Sequence, residues 1–377
     1  MAFDLNALGD KLKRYREQLQ LSLADLALGT GIDEGRLESL EAGTITPSGD
    51  EVLILADFYK CDYRFFVSNE RLAPFEQTEN LYRRHGTEFS KEDRWRVQEF
   101  LFLSECEEFL IQSLHRHRTS FHFTPTGTYF KGHAELAAAS LRKHFGYDSQ
   151  SVPSDVYADF RQIGVHVFRR QLSNSNISGV MLRHPVAGPC ILVNYSEDIY
   201  RQRFTAAHEA AHAMLDKEEF VVSFESARGD LTEIRANTFA SRYLLPPEIL
   251  KKIPAQRWSG AEISLWANKL KVSTTALAIG LKESSLIDED TYKELVKVRV
   301  RADLKTDPEL EALTGKPLAR KRVLLQKGLS FAFVSLCFDA LSEGIITNAK
   351  AAEMLLIAED ELPDLASLFH VKLLVHE

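Results

Sequence analysis

The stretch Arg203-Phe204-Thr205-Ala206-Ala207-His208-Glu209-Ala210-Ala211-His212-Ala213-Met214-Leu215 contains no helix breaker and reads as one helix. Histidines four residues apart share a helical face, so both imidazoles can reach one ion. Glu209, between them, is placed to hold and deprotonate a water on that ion. This is the residue set of metal-assisted hydrolysis. Zinc lowers the pKa of its water to about 7 and polarises a carbonyl, and the carboxylate passes the proton to the leaving amine. Composition alone yields such a pattern in roughly a few chains in a hundred. The alanines around the pair favour a packed helix over a surface helix with two solvated histidines.

A catalytic zinc needs a third protein ligand and an open position. Glu233 is the choice, because it opens a second helical run, Glu233-Ile234-Arg235-Ala236-Asn237-Thr238-Phe239-Ala240. Asn237 follows one turn later, where it can orient a ligand without binding the ion. Glu218, Glu219, Glu225 and Asp230 are the competitors.

Outward from the motif, β-favouring runs at 165–168, 179–182 and 191–193 predict a small sheet beside the helix. A helix is expected over 134–144 and a longer one from Lys91 to about His115, with residues 71–89 as a connector and 116–130 as a loop. Near that loop His115, His117 and His122 read as an exposed hinge, since Arg116 and Arg118 oppose a cation. Residues 5–68 read as short helices. Leu8, Leu12, Tyr15 and Leu19 recur at helical spacing, Ser22 and Asp33 are N-caps, and Gly31 and Gly43 close helices. Ser330 to His370 carries dense apolar helical patterning that must be buried, either over the catalytic core or in a dimer contact. The expected fold class is mainly α with a small β-sheet (α+β).

At 377 residues the chain can bury two or three cores. No apolar run suits a membrane span and no signal-peptide pattern opens the chain, which predicts a cytoplasmic protein. The four cysteines, Cys61, Cys106, Cys190 and Cys337, form no CxxC pair. Cys190 precedes the run leading to the motif helix, so it is either a thiol able to reach the metal as a switch or a plain buried one. The net charge of -8 gives no general attraction to nucleic acid.

The sequence resembles the ImmA/IrrE family of bacterial and phage metallopeptidases. The matching pieces are Val193-Asn194, the Arg203-Phe204-Thr205 lead into the motif, Glu233 to Ala240, Leu244-Leu245-Pro246 and Leu270 to Ala276, covering about 134–292. That family implies a zincin-like, gluzincin-type fold, zinc held by His208, His212 and Glu233, Glu209 as general base, and cleavage of a protein substrate, often a repressor, in stress or phage responses. The N-terminal segment is similar to the phage-repressor (XRE) helix-turn-helix class through Leu26-Ala27, Gly31-Ile32, Leu37, Leu40-Glu41-Ala42-Gly43 and Pro47-Ser48. The expected organisation is a helix-turn-helix domain at 1–70, a helical connector at 71–130, the zinc metallopeptidase domain at 131–295 and a helical C-terminal domain at 296–377.

In the helix-turn-helix class the third helix enters the major groove of double-stranded DNA. Lys11, Lys13, Arg14, Arg36 and Ser39 are the expected contacts, with Arg16 in the same basic cluster. Residues 1–70 nevertheless hold seven Lys/Arg and thirteen Asp/Glu, a net of 7 - 13 = -6. Such a balance is poor for phosphate, and protein docking or homodimerisation is the alternative. A basic stretch from Arg299 to Arg322 reads as a solvated helical face. A zinc domain that senses a signal without hydrolysis, or a defence or toxin–antitoxin component that works by binding, completes the range of readings.

Overall fold

The computed structural model describes residues 4–68, 75–127, 130–224, 230–254, 257–301, 304–305, 307–310 and 313–372. Five short helices come first: α1 (Leu5–Gln18), α2 (Leu23–Thr30), α3 (Glu34–Glu41), α4 (Gly49–Tyr59) and α5 (Tyr63–Val67). Capping boxes start α2 (Ser22 with Asp25) and α4 (Ser48 with Glu51), and Asp33 caps α3. Gly31 closes α2 at φ +71°, a left-handed conformation that costs glycine nothing. Leu8, Leu12, Tyr15, Leu26, Leu37, Leu40, Leu55, Tyr59 and Phe66 fill the core between these helices.

Next come α6 (Phe75–His85), α7 (Lys91–Ser113), α8 (Phe130–His144) and α9 (Val156–Gln162), then β1 (His166–Arg170), β2 (Ile177–His184), β3 (Gly188–Asn194), α10 (Ile199–Leu215), β4 (Phe220–Phe224) and α11 (Leu231–Leu244). The strands form one sheet in the order β1-β3-β2-β4, with β1 parallel to β3 and the other pairs antiparallel. Alternation along the strands gives the sheet two apolar faces. Val167, Met181, Ile191 and Val193 share one core with the alanines of α10. Phe168, Val180, Leu182, Cys190 and Leu192 share another with α7 and with the C-terminal helices.

The remaining helices are α12 (Pro247–Leu250), α13 (Gly260–Leu270), α14 (Thr274–Glu283), α15 (Glu289–Leu295), α16 (Gly315–Gln326), α17 (Phe331–Ser342), α18 (Asn348–Met354) and α19 (Leu362–Phe369). The apolar C-terminal patterning is therefore spent inside the molecule. Phe333 of α17 meets Phe168 edge-on at 5.5 Å, and Phe168 meets Phe100 of α7 at 6.2 Å. No described helix is long and apolar enough to cross a membrane.

The structure departs from expectation in three places. Within the expected helical connector at 71–130, the placement of α6 in residues 71–89 was not foreseen, and α6 packs on β2. Strand β4 was also unforeseen. The basic stretch is not one solvated face either: Lys305 pairs with Asp198, Arg320 with Glu361, and Lys321 is buried beside Glu309.

A charged cluster fastens α7 to β1. His166 is buried, with Nδ1 2.6 Å from Glu107 Oε2 and Nε2 3.1 Å from Glu108 Oε2. Arg161 lies 3.1 Å from the other Glu107 oxygen. Burial works against the charge on His166, but the two carboxylates outweigh it and raise the pKa above the ordinary 6.5. Burial likewise opposes ionisation of Glu107, and Arg161 and His166 reverse that to hold it below 4.5. Raised imidazole and lowered carboxylate imply a window. The His166 contribution is complete below pH 6.5 and is lost as pH rises through its raised value. That of Glu107 is complete above pH 4.5 and is lost as pH falls through its lowered one. The stability gap between wild type and His166→Gln, measured by urea unfolding, is expected to be largest between pH 4.5 and 6.5 and to shrink on both sides.

Candidate metal centre

Ala206, Ala207, Ala210 and Ala211 of α10 are all but fully buried, in one core with Met181, Ile191 and Val193 of the sheet. Such small side chains let the helix axis approach closely, and Glu209 is carried into the seam. Its carboxyl is fully buried and neither oxygen has a hydrogen-bond partner. Room for it comes from Gly179 on β2, where a Cβ would stand 2.7 Å from both Glu209 Oε1 and Thr205 Cγ2. Ser223 on β4, opposite Gly179 in the ladder, has an unpartnered hydroxyl near the same carboxyl. Burial pushes the Glu209 carboxyl above its ordinary value, Glu233 adds to this, and His208, His212 and Ser223 draw it partly back.

The other face of α10 meets α11. His208 Nε2 and His212 Nε2 are 3.1 Å apart, and the Glu233 carboxylate spans them with Oε2 3.3 Å from the first and Oε1 3.4 Å from the second. These three are the group of metal-capable side chains that converge among the described residues. Glu233 is partly buried, which opposes ionisation, but its contacts with the two imidazoles win and hold it well below the usual carboxylate range.

Each imidazole is fixed from behind. His208 Nδ1 is 3.1 Å from Asn237 Oδ1, the role expected of Asn237. His212 Nδ1 is 2.5 Å from Asp216 Oδ2, and the other Asp216 oxygen is paired with Arg235. An N–H donated from Nδ1 to these oxygens leaves both Nε2 lone pairs facing Glu233. Asp216, Arg235, Gly179 and Ser223 were all missed from the sequence. Asp216 had a usable signal, since it lies one turn beyond His212.

The competing acids are elsewhere. Glu218 and Glu219 are exposed, Asp230 caps α11 through Thr232, and Glu225 lies outside the described residues. Cys190 cannot serve as the expected switch. It points from β3 into the core shared with α7 and α17, on the sheet face away from α10, where burial pushes its thiol up to about 12.

The DNA contacts also need correction. Lys11 turns inward, donating to the carbonyls of Phe65 and Ser68, and is 6% exposed. Arg14 is paired with Glu79, Arg16 with Glu41 and Arg36 with Glu51. Ser39 turns its hydroxyl back onto Gly35 O, 2.8 Å away. Lys60 and Arg64 are paired with Asp57 and Asp62, which leaves Lys13 as the cation of this segment with no ion pair among the described residues.

Residues 160–282 match the family model of the IrrE N-terminal-like domain, Peptidase_M78, and residues 7–63 match that of a helix-turn-helix domain. The chain is a fusion of these two modules. The first match contains the sheet, α10 and α11, and so all the residues of the metal-capable group. No curated protein matches the chain. The two matches support a regulator with a protease-like domain, and the metallopeptidase family matched by residues 160–282 is one that implies a metal cofactor.

Adding a methyl at Gly179 forces either Glu209 or Thr205 to move. Gly179→Ala should destabilise the fold by about 1–3 kcal/mol, as overpacking of a tight core does, and thermal unfolding of the pure protein reads this directly. An unchanged transition would show that the α10 seam is looser than these distances indicate.

Proposed function

We propose that this protein is a regulator whose zinc-dependent peptidase domain cleaves one specific protein, a repressor, in a stress or phage-related response. The observation that carries the reading is the convergence of two Nε2 atoms 3.1 Å apart on a carboxylate whose two oxygens lie 3.3 and 3.4 Å from them, one on each, backed by the buried Glu209 carboxyl that has no hydrogen-bond partner. A tetrahedral ion with bonds of about 2.0–2.1 Å needs donors about 3.3 Å apart. Two imidazoles and one carboxylate suit zinc and leave a fourth position for water. The residues fit the group that the family implies.

His208, His212 and Glu233 would hold the zinc, which when bound supplies a Lewis acid for the scissile carbonyl and a more acidic water. Asn237 and Asp216 keep both imidazoles in the tautomer that binds metal through Nε2, and Arg235 pairs with Asp216 and orients it. Glu209 acts as general base on the water and then carries that proton to the leaving amine nitrogen. Its raised pKa suits the second task, because a carboxyl of higher pKa holds the transferred proton more readily.

The test is elemental analysis with a cleavage assay on a candidate repressor. About one zinc per chain is expected in the wild type, much reduced in His208→Ala and Glu233→Ala. Glu209→Gln should keep zinc and abolish cleavage. Asp216→Asn should weaken zinc binding about 10–100-fold, measured by competition with a chelating dye. Wild type expressed with zinc and purified free of metal would refute the peptidase reading.

A second reading concerns the helix-turn-helix domain. The match suggests double-stranded DNA, but the inward or paired state of its cations favours protein docking. A repressor making six to ten phosphate contacts loses about 10³–10⁵ in affinity between 50 and 200 mM salt. Here, anisotropy titrations with duplex DNA should show a loss of no more than about tenfold over that range, in line with one free lysine. A steep salt dependence would restore groove binding as the role of this domain.

A further inference from the structure

A cavity of about 100 Å³ lies where the first turn of α10 meets α9, β1, residues 307–309 and the start of α17. Arg203 is in its wall and is 4% exposed. Both Nη groups donate to main-chain carbonyls, of Ser154 and Pro153, and Nε has no partner. No carboxylate forms an ion pair with this guanidinium among the described residues. Burial draws its pKa below the ordinary value even though Asp155 and Asp159 act on its charge without touching it, so the site is costly for an unpaired cation.

Two further wall groups share the condition. The hydroxyl of Tyr157 is buried without a hydrogen-bond partner, and the charges of Arg169 and Arg203 both act on it. Those guanidiniums only donate, so the phenol cannot bond to them as a donor. Lys271 also lines the cavity and makes no ion pair among the described residues.

The acids in the wall are already engaged. Asp155 caps α9, Asp307 receives Arg169 Nη1 at 2.7 Å, and Glu309 receives Phe331 N at 3.0 Å. The cavity thus presents three groups, Arg203 Nε, the Tyr157 hydroxyl and the Lys271 ammonium, that have neither a hydrogen-bond partner nor an ion pair among the described residues. One water needs about 10–15 Å³, so the space takes several waters or one anion of carboxylate or phosphate size and is too small for a nucleotide.

We propose that this cavity binds a small oxyanion through Arg203, Tyr157 and Lys271, and that the bound anion ties the 307–309 segment and α17 to the metal-bearing helix. Arg203 is five residues before His208 on the same helix, so occupancy would stiffen the run that carries both histidines. The inference does not depend on the peptidase reading.

The test is calorimetric titration and thermal unfolding of the full chain with sodium phosphate and, separately, sodium acetate, against sodium chloride at equal ionic strength. Saturable one-to-one binding and a raised Tm are expected with at least one of them. Phosphate alone or acetate alone would name the class of oxyanion. Tyr157→Phe and Lys271→Gln, which spare Arg203 and its loop contacts, should each weaken binding about tenfold, the effect of losing a hydrogen bond to a charged partner. His208→Ala should leave binding unchanged, which separates this cavity from the metal centre. The proposal is overturned if neither anion outperforms chloride, if both wall variants bind as the wild type does, or if binding disappears in His208→Ala.

Discussion

The close approach of α10 to the sheet is the constraint on which the site depends. Alanines at 206, 207, 210 and 211 keep α10 slim in the core that it shares with Met181, Ile191 and Val193. One consequence is that Glu209 enters the seam with no room to spare, against a strand that has a glycine at the point of contact. The opposite consequence falls on His208 and His212, which are turned toward α11, where Glu233 and Asn237 sit one turn apart. A helix bearing leucines at the same positions would stand further out, and Glu209 and the two histidines could not both be placed by one rigid element.

How much of this was legible in the sequence depends on the range of the interactions. Spacing along one helix is a local property, so the relation of His208, Glu209 and His212 could be read directly. The pairing of Glu233 with them rested on a second helical run and on family resemblance, and the geometry brings the three together. Gly179 and Ser223 were beyond reach because strand register decides that they meet Glu209, and nothing local fixes register. Strand β4 is five residues long and close behind the motif helix, too short for its alternation to stand out. Lys11 illustrates the reverse error. Its spacing placed it with basic neighbours, but its ammonium lies over the Phe65 ring and donates to two carbonyls, a tertiary fact invisible to composition.

The helix-turn-helix segment keeps the fold of its class while its charges are arranged against themselves. Arg16 and Arg36 are each bound by both oxygens of a glutamate, and α3 exposes Glu34 and Glu38. Fold and function separate here, since helix packing needs only the leucines, whereas binding phosphate needs free cations.

Helix α7 has a place in the architecture that connects these parts. Near its start Lys91 is held by Asp25, Arg94 by the carbonyl of Gln18, and Trp95 by the ring of Phe58. Further along, Phe100 and Glu107 are fixed to β1. At about 1.5 Å per residue, its 23 residues make a strut of about 34 Å. The N-terminal helices are thereby held at a set distance and heading from the metal-capable group, as work is held in a jig, with the helix serving as the ruler.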